Sequence, residues 1–252
     1  MPDECIHGLE AGLCDLCYPK AKPEVAPVAA TTRTTTRRRT PAVPRTAGVG
    51  TPDHKVGEQR LYHVTHISNL AGIIEAGAIV APATPEVDAS SAENRDARRN
   101  ITLEGATVAD YVPFFLSPNS TIWSQIRAGA DDPRLSRDVR DLPPTEFVIL
   151  VSTVKVATAL ENAISVSDGD PSSIYTRFGT TPETNDRTLR KLRADDALLL
   201  EGELLVRDAF PFDQIALVGV ANDRTRDAVR DILQTAMHEP KVAVYPPWFA
   251  RT

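Results

Sequence analysis

Past residue 57, apolar positions fall in short runs separated by polar, Gly and Pro breaks. Residues 61–64 read as a strand. Ser68 caps a predicted helix that carries Leu70, Ile73 and Ile74 on one face and stops at Gly77. Residues 79–80 are a short strand, and the polar stretch 86–99 reads as loop or weak helix. The aromatic run 111–116 is a strand, and 120–128 fit a helix. A buried strand is predicted over 146–153, a helix over 156–163 and an extended piece over 164–166. Residues 188–192 look helical and run into a loop. Strands follow at 204–206 and 215–220. A helix over 224–236 turns Val229, Ile232 and Leu233 inward, and 242–245 close the body as a strand. Strands and helices interleave without a regular βαβ rhythm and without the glycine fingerprint of a doubly wound sheet. The expectation is an α+β body with mixed sheets over residues 58–252.

The first 57 residues carry no such periodicity. Residues 20–57 are rich in Pro, Ala, Thr and Arg and cannot bury enough surface to offset ordering entropy, so they read as a disordered linker. Charge follows the same division. Residues 20–60 hold nine Lys and Arg against three Asp and Glu, whereas 61–252 hold 19 against 27, within a chain of net charge −6. An acidic body argues against broad nonspecific wrapping of nucleic acid.

All three cysteines lie in residues 1–19. Cys5, His7, Cys14 and Cys17 form an S₃N set, and Cys-x-x-Cys lets two thiolates approach one metal from a tight turn. The segment reads as a structural zinc knot with no open coordination position; a reactive thiol cluster is the plainer alternative. The clustering is wrong for a disulfide framework and fits a reduced compartment. With no apolar run near the ~18–20 residues that span a bilayer and no secretory leader pattern, a cytoplasmic protein without membrane contact is expected.

Two elements in the body carry candidate chemistry. In Tyr62-His63-Val64-Thr65, side chains two apart on a strand share a face. His63 and Thr65 then offer a ring nitrogen and a hydroxyl together, suited to ribose hydroxyls and to a nicotinamide amide. In Glu201-Gly202-Glu203, read as strand, two carboxylates share a face and reach one site. Breaking a nicotinamide–ribose bond builds positive charge on the ribose carbon, as in glycoside hydrolysis. A carboxylate on the 2′-hydroxyl stabilises that charge where it develops. Polar residues on a wet strand face and a charged strand edge are the bland alternatives. Between them, Arg98-Arg99 offers guanidinium forks to a diphosphate. An early His/Thr strand plus a late carboxylate is the skeleton of an ADP-ribosyltransferase that cleaves NAD, with Glu203 facing the sugar within reach of residues 62–65.

Four stretches sharpen this. Residues 62–70 (Tyr-His-Val-Thr-His-Ile-Ser-Asn-Leu), 110–115 (Asp-Tyr-Val-Pro-Phe-Phe), Arg98-Arg99-Asn100 and Glu203-Leu204-Leu205-Val206 resemble the DarT-type DNA ADP-ribosyltransferase toxins, over most of residues 60–250. The resemblance implies an α+β fold related to the poly-ADP-ribose polymerase core. It implies NAD held at His63, Val64, Thr65, Gly72, Val80 and Arg99, and catalysis by Glu203 and Arg99. It further implies a base of single-stranded DNA, commonly thymidine, as acceptor, and a macrodomain antitoxin that removes the mark. A guanidinium stays protonated, so the arginine is expected to act electrostatically rather than as a proton acceptor. Phe114, Phe115 and Trp123 are expected either as stacking faces or as core.

The chain departs from the family pattern in three places. Glu201 stands where Gln is frequent, which leaves guanine or RNA as alternative acceptors. The stretch 85–110 aligns loosely and leaves Arg98 and Arg95 as alternatives to Arg99. The knot and basic linker are additions, expected to recruit nucleic acid. A non-catalytic, zinc-tethered binding module is the reading from a different class; the presence of Glu203 stands against it.

Overall fold

The run of β-branched and aromatic residues Phe147–Thr153, buried through Ser152, becomes the strand around which the body is built. The computed structural model describes residues 56–251. In chain order they form β1 (Arg60–His66), α1 (Asn69–Ala76), β2 (Ala78–Val80), α2 (Ala92–Arg99), β3 (Thr102–Leu103), β4 (Ala106–Thr107), β5 (Tyr111–Phe115), α3 (Thr121–Ala128) and β6 (Phe147–Thr153). Then follow α4 (Val154–Ala157), β7 (Ile164–Ser167), β8 (Phe178–Gly179), α5 (Pro182–Arg193), α6 (Asp196–Glu201), β9 (Glu203–Arg207), β10 (Ala209–Pro211), β11 (Leu217–Val220), α7 (Asp223–Leu233) and β12 (Lys241–Val244). Cys5, His7, Cys14 and Cys17, with the linker, lie outside the described residues. Val56 is already buried in the core, so packing starts just ahead of residue 58.

Eight strands form one sheet in the order β12-β11-β6-β1-β5-β9-β7-β8. Only β11 and β12 run parallel; the other neighbours are antiparallel. The fold is thus α+β with a mixed sheet, as the interleaved pattern predicts. Strand alternation sends Leu61, Phe114, Leu150 and Leu204 to one face, where α1, α5 and α7 contribute Leu70, Leu189, Leu192, Val229 and Leu233. Tyr62, Phe115, Ile149 and Val151 face the other side and pack with Trp123 of α3 and Phe249. Trp123 buries its ring fully and donates its indole N–H to the Trp248 carbonyl at 2.7 Å, which satisfies the one polar atom such a ring brings inside.

The sheet is not continuous through its middle. β1 pairs with β6 over seven residues and β5 with β9 over five, but β1 and β5 share one bridge, Tyr62↔Phe115. Pro113 lies two residues along β5, and it has no N–H to give β1. Side chains replace the missing ladder. Gln59 Nε2 donates to the Leu116 carbonyl at 2.8 Å on one side of the bridge, and His63 Nδ1 bonds the Pro113 carbonyl at 2.9 Å on the other. Past Tyr62 the two strands therefore part, and the sheet opens.

Several elements differ from the sequence expectation. Residues 92–99 are a full helix, capped by Ser91 Oγ accepting from the Asn94 amide at 3.0 Å. No residue of α2 is buried, so it has no apolar stripe for periodicity to find. The helix expected over 156–163 shrinks to the single turn α4, and the segment read as loop after 192 forms α6 on an Asp195 cap.

Candidate active site

Glu203 opens β9, opposite Phe115 on β5 and in the same row as Tyr62 on β1. It stands where the sheet parts. Its position is set locally by Ser167 at the end of β7. The Ser167 hydroxyl accepts from the Glu203 amide at 2.9 Å and lies 3.3 Å from the Glu203 carbonyl. Gly202 before it has no room for a side chain: a Cβ there would sit 2.7 Å from Leu192 Cδ1 and 3.0 Å from the Ser167 carbonyl. The glycine lets the chain turn tightly out of α6 and into β9.

This turn corrects the expectation of two carboxylates on one strand face. Glu201 is the last residue of α6 and Glu203 the first of β9, with Gly202 as the helix cap. The Glu201 carboxylate accepts from Thr121 Oγ1 at 2.6 Å, which ties α6 to α3. The two acids therefore have different partners.

Glu203 is 4% exposed, and Arg98 Nη2 meets its Oε2 at 2.7 Å. Burial pushes the carboxyl above the ordinary carboxylate range; Arg98 pulls in the other direction without cancelling it. Proton affinity at this atom is thus higher than in water, although a guanidinium touches it.

The arginine at Glu203 is Arg98, where the expectation favoured Arg99. Successive helix residues are ~100° apart, so only one of the two can face β9. Arg99 turns outward and pairs with Asp96 three residues back, both well exposed. Arg95 forms an ion pair with Asp88 and lines a separate groove of about 820 Å³ with Ser91, Pro133 and Arg140, which does not include Glu203. Family resemblance over a stretch that aligns loosely favours Arg99; the register of α2, which turns Arg98 toward Glu203, is not legible in that alignment.

The NAD-holding candidates lie on β1, on α1, at the end of β2 and at the end of α2. His63 lies on the face opposite Glu203, its ring 5.7 Å from Phe114. Burial depresses its basicity, so the ring is neutral near pH 7. Because a carbonyl only accepts, Nδ1 carries the proton toward Pro113, and Nε2 is left as an acceptor. Thr65 Oγ1 accepts from Asn69 Nδ2 at 3.0 Å, and Asn69 also bonds the Val87 backbone at both ends of its amide. That network ties β1 to the segment after β2. Val64 packs into the core on the Glu203 side of the sheet. Gly72 is exposed on α1 with open space where a side chain would be, and Val80 is exposed at the end of β2. Of the aromatic stacking candidates, Phe114 and Trp123 are fully buried core and Phe115 is partly covered.

Sequence reasoning missed Ser167 and the partly buried trio Asp132–Arg134–Asp170. Arg134 bonds Asp132 at 2.7 Å and Asp170 at 3.0 Å, and both Arg134 and Asp170 act on Glu203 through space. None of these sits in a recognisable local pattern. No helix among the described residues is long and apolar enough to cross a membrane, and no group of three potential metal ligands occurs among them.

Comparison with known proteins bears on this geometry. A DNA ADP-ribosyl transferase of Thermus sp. (strain 2.9) is 26% identical over 215 residues, covering 75% of this chain and 95% of that protein. One from Thermus aquaticus is 24% identical over 213 residues, covering 75% and 88%. The solved structure of Thermus sp. 2.9 DarT in complex with ADP-ribosylated ssDNA superposes with a TM-score of 0.64 at 24% identity, covering 76% of this chain and 96% of the other. Its complex with NAD+ gives 0.62 at 23%, covering 76% and 98%. Thermosipho africanus DarTG in complex with ADP-ribose gives 0.57 at 15%, over 76% of this chain and 51% of that one. At these identities the structures speak for the fold. Residues 62–250 match the family described as DarT, ssDNA thymidine ADP-ribosyltransferase, and the chain belongs to that family.

Proposed function

We propose that this protein transfers ADP-ribose from NAD to a thymidine base of single-stranded DNA and releases nicotinamide. The observation that carries the reading is Glu203: a buried carboxylate, gripped by Arg98, at the point where β1 and β5 part. Thermus relatives named as DNA ADP-ribosyl transferases, and a fold shared with DarT bound to NAD+ and to ADP-ribosylated ssDNA, support it.

NAD enters as substrate. Family resemblance implies contacts to both His63 and Glu203, which border the parting of β1 and β5 beside Pro113. There the neutral His63 Nε2 accepts from a ribose hydroxyl. Glu203 accepts from the hydroxyl next to the reacting carbon and stabilises the positive charge that develops as the glycosidic bond breaks. The electron pair of that bond leaves with nicotinamide. A thymine ring nitrogen forms the new bond and gives up its proton to water. Arg98 takes the electrostatic role expected of Arg99: it fixes Glu203 and favours the deprotonated base, and as a guanidinium it does not accept the proton. A single-stranded acceptor spares the cost of unpairing. Val64, Thr65, Gly72 and Val80 complete the NAD-holding set by family resemblance, and Arg99 keeps a place there as a phosphate contact at the end of α2.

We further propose that the chain acts in the cytoplasm as a toxin countered by a macrodomain antitoxin. The match covers about half of Thermosipho DarTG, which leaves the other half of that chain without a counterpart here. Cys5, His7, Cys14 and Cys17 give a closed donor set for structural zinc.

The test is labelled NAD with oligonucleotides that each contain one kind of reactive base. Wild type should label the thymidine oligomer, and Glu203→Gln should lower the rate by on the order of 10²–10³. Equal labelling by the two proteins, or labelling of no DNA, overturns the reading.

A further inference from the structure

Asn69 opens α1, is 8% exposed, and commits both hydrogens of its side-chain amide. Its Oδ1 accepts from the Val87 amide at 3.0 Å, and its Nδ2 donates to the Val87 carbonyl at 2.9 Å. This two-point match to one residue's backbone fixes which way the side-chain amide faces. Turned over, it would set N–H against N–H and oxygen against oxygen. One Nδ2 hydrogen remains, and Thr65 Oγ1 accepts it at 3.0 Å.

The clasp on Val87 is enough to tie α1 to the segment after β2. The bond to Thr65 adds something else. A hydroxyl has one hydrogen and two lone pairs. One lone pair faces Asn69, so the hydrogen must point elsewhere. Among the described residues, Asn69 is the one hydrogen-bond partner of the Thr65 hydroxyl, and Thr65 is only half-buried. His63 shares its face of β1. There Nδ1 is held by the Pro113 carbonyl at 2.9 Å, which leaves Nε2 as an acceptor. Two residues apart, β1 thus offers one acceptor and one donor, each with its direction set by a neighbouring element. Both lie past the Tyr62↔Phe115 bridge, where pairing with β5 ends.

We propose that Asn69 is a positioning residue for the reaction: it makes the Thr65 hydroxyl a fixed donor to an acceptor atom of bound NAD, beside the acceptor at His63. This rests on the proposed NAD substrate. The donor is aimed before the substrate arrives, so binding has no hydroxyl rotor to order. Replacing the Asn69 amide with a carboxyl reverses the arrangement. An oxygen then faces Thr65, the hydroxyl turns its hydrogen to that oxygen, and only lone pairs are left for the substrate.

The experiment uses the full chain and measures Kd for NAD by calorimetry and kcat for NAD cleavage, each protein below its own unfolding transition. Asn69→Asp should weaken NAD binding about tenfold and change kcat far less. Thr65→Val, which leaves the Val87 clasp in place, should weaken binding by a similar factor, and Thr65→Ser should restore it. The double variant Asn69→Asp/Thr65→Val should bind about as weakly as either single variant, because the donor is lost only once. A purely structural Asn69, or repulsion between the new carboxylate and the NAD phosphates, requires additive losses of about a hundredfold; that result overturns the proposal. It also falls if Asn69→Asp or Thr65→Val binds NAD as wild type does. Should Asn69→Asp fail to fold, Asn69→Leu takes its place. That change frees the hydroxyl to rotate, so it should weaken binding beside Thr65 and not in the Thr65→Val background; equal losses in the two backgrounds overturn the proposal. Should wild type bind no NAD, the substrate reading fails along with it; that result is distinct, because it appears before any substitution is made.

Discussion

Replacing Arg98 with Met is the most direct probe of the site. Met keeps much of the length of the side chain and removes its charge, which leaves the Glu203 carboxylate buried with its cation gone. The side chains of Arg98 and Glu203 are 17% and 5% exposed and meet at 2.7 Å, so solvent screens the pair weakly. Charges ~4 Å apart at an effective dielectric of ~20 attract by about 4 kcal/mol, in line with the ~3–5 kcal/mol lost when one partner of a buried pair is removed. The loss should depend on pH. Glu203 is already held above its unfolded value of 4.5 by burial, and without Arg98 only the smaller pull of Arg134, set against Asp170, opposes that push. The folded variant then binds a proton more readily than its unfolded chain. Its stability is complete below the unfolded value and declines as pH rises through the folded one. Urea unfolding should therefore show a large deficit against wild type near pH 8 that shrinks toward pH 5. The double variant Arg98→Met/Glu203→Gln should recover most of the deficit, since no charge is left buried. Additive single and double substitutions, or a deficit that ignores pH, would refute the reasoning.

Three further outcomes follow from the same geometry. Ser167→Ala removes the hydroxyl that accepts from the buried Glu203 amide; it should cost about 1–3 kcal/mol in urea unfolding and lower the rate of NAD cleavage with little change in KM for NAD. Gly202→Ala forces a methyl to 2.7 Å from Leu192 Cδ1 and should cost about 1–3 kcal/mol by overpacking; a variant with an unchanged urea midpoint would show that the turn has room. Burial holds His63 below its usual value of 6.5, so the folded chain binds fewer protons than the unfolded one. Its contribution is complete above that value and is lost as pH falls through the folded one. The wild-type urea midpoint should drop between about pH 7.5 and pH 5.5, and that of His63→Gln should drop less; parallel curves would count against a buried neutral ring.

What the sequence made legible, and what it hid, divides along a physical line. Elements that bury an apolar stripe announce themselves. The run at 146–153, the stop at Gly77 and the inward Val229 and Leu233 of α7 all follow from periodicity, because the core demands it. The two elements that assemble the site have no such stripe. α2 buries nothing and is held by its Ser91 cap and its pair with Glu203, so its register, and with it the choice between Arg98 and Arg99, could not be read from hydrophobicity. At Glu201-Gly202-Glu203 the residue pattern allows a strand, yet a glycine with no space for a Cβ marks a helix-to-strand turn. Period-two counting across that turn placed both acids on one face. Pro113 is the converse case. It lies within a run that reads as a strand, and a proline in a central strand breaks a ladder. Its carbonyl goes to the His63 side chain instead of to a backbone N–H of β1, and the sheet opens beside the Glu203 carboxylate. The residues most costly to the sheet are thus the ones that create the site: a missing N–H at 113 parts the strands, and the missing side chain at 202 delivers Glu203 to the parting.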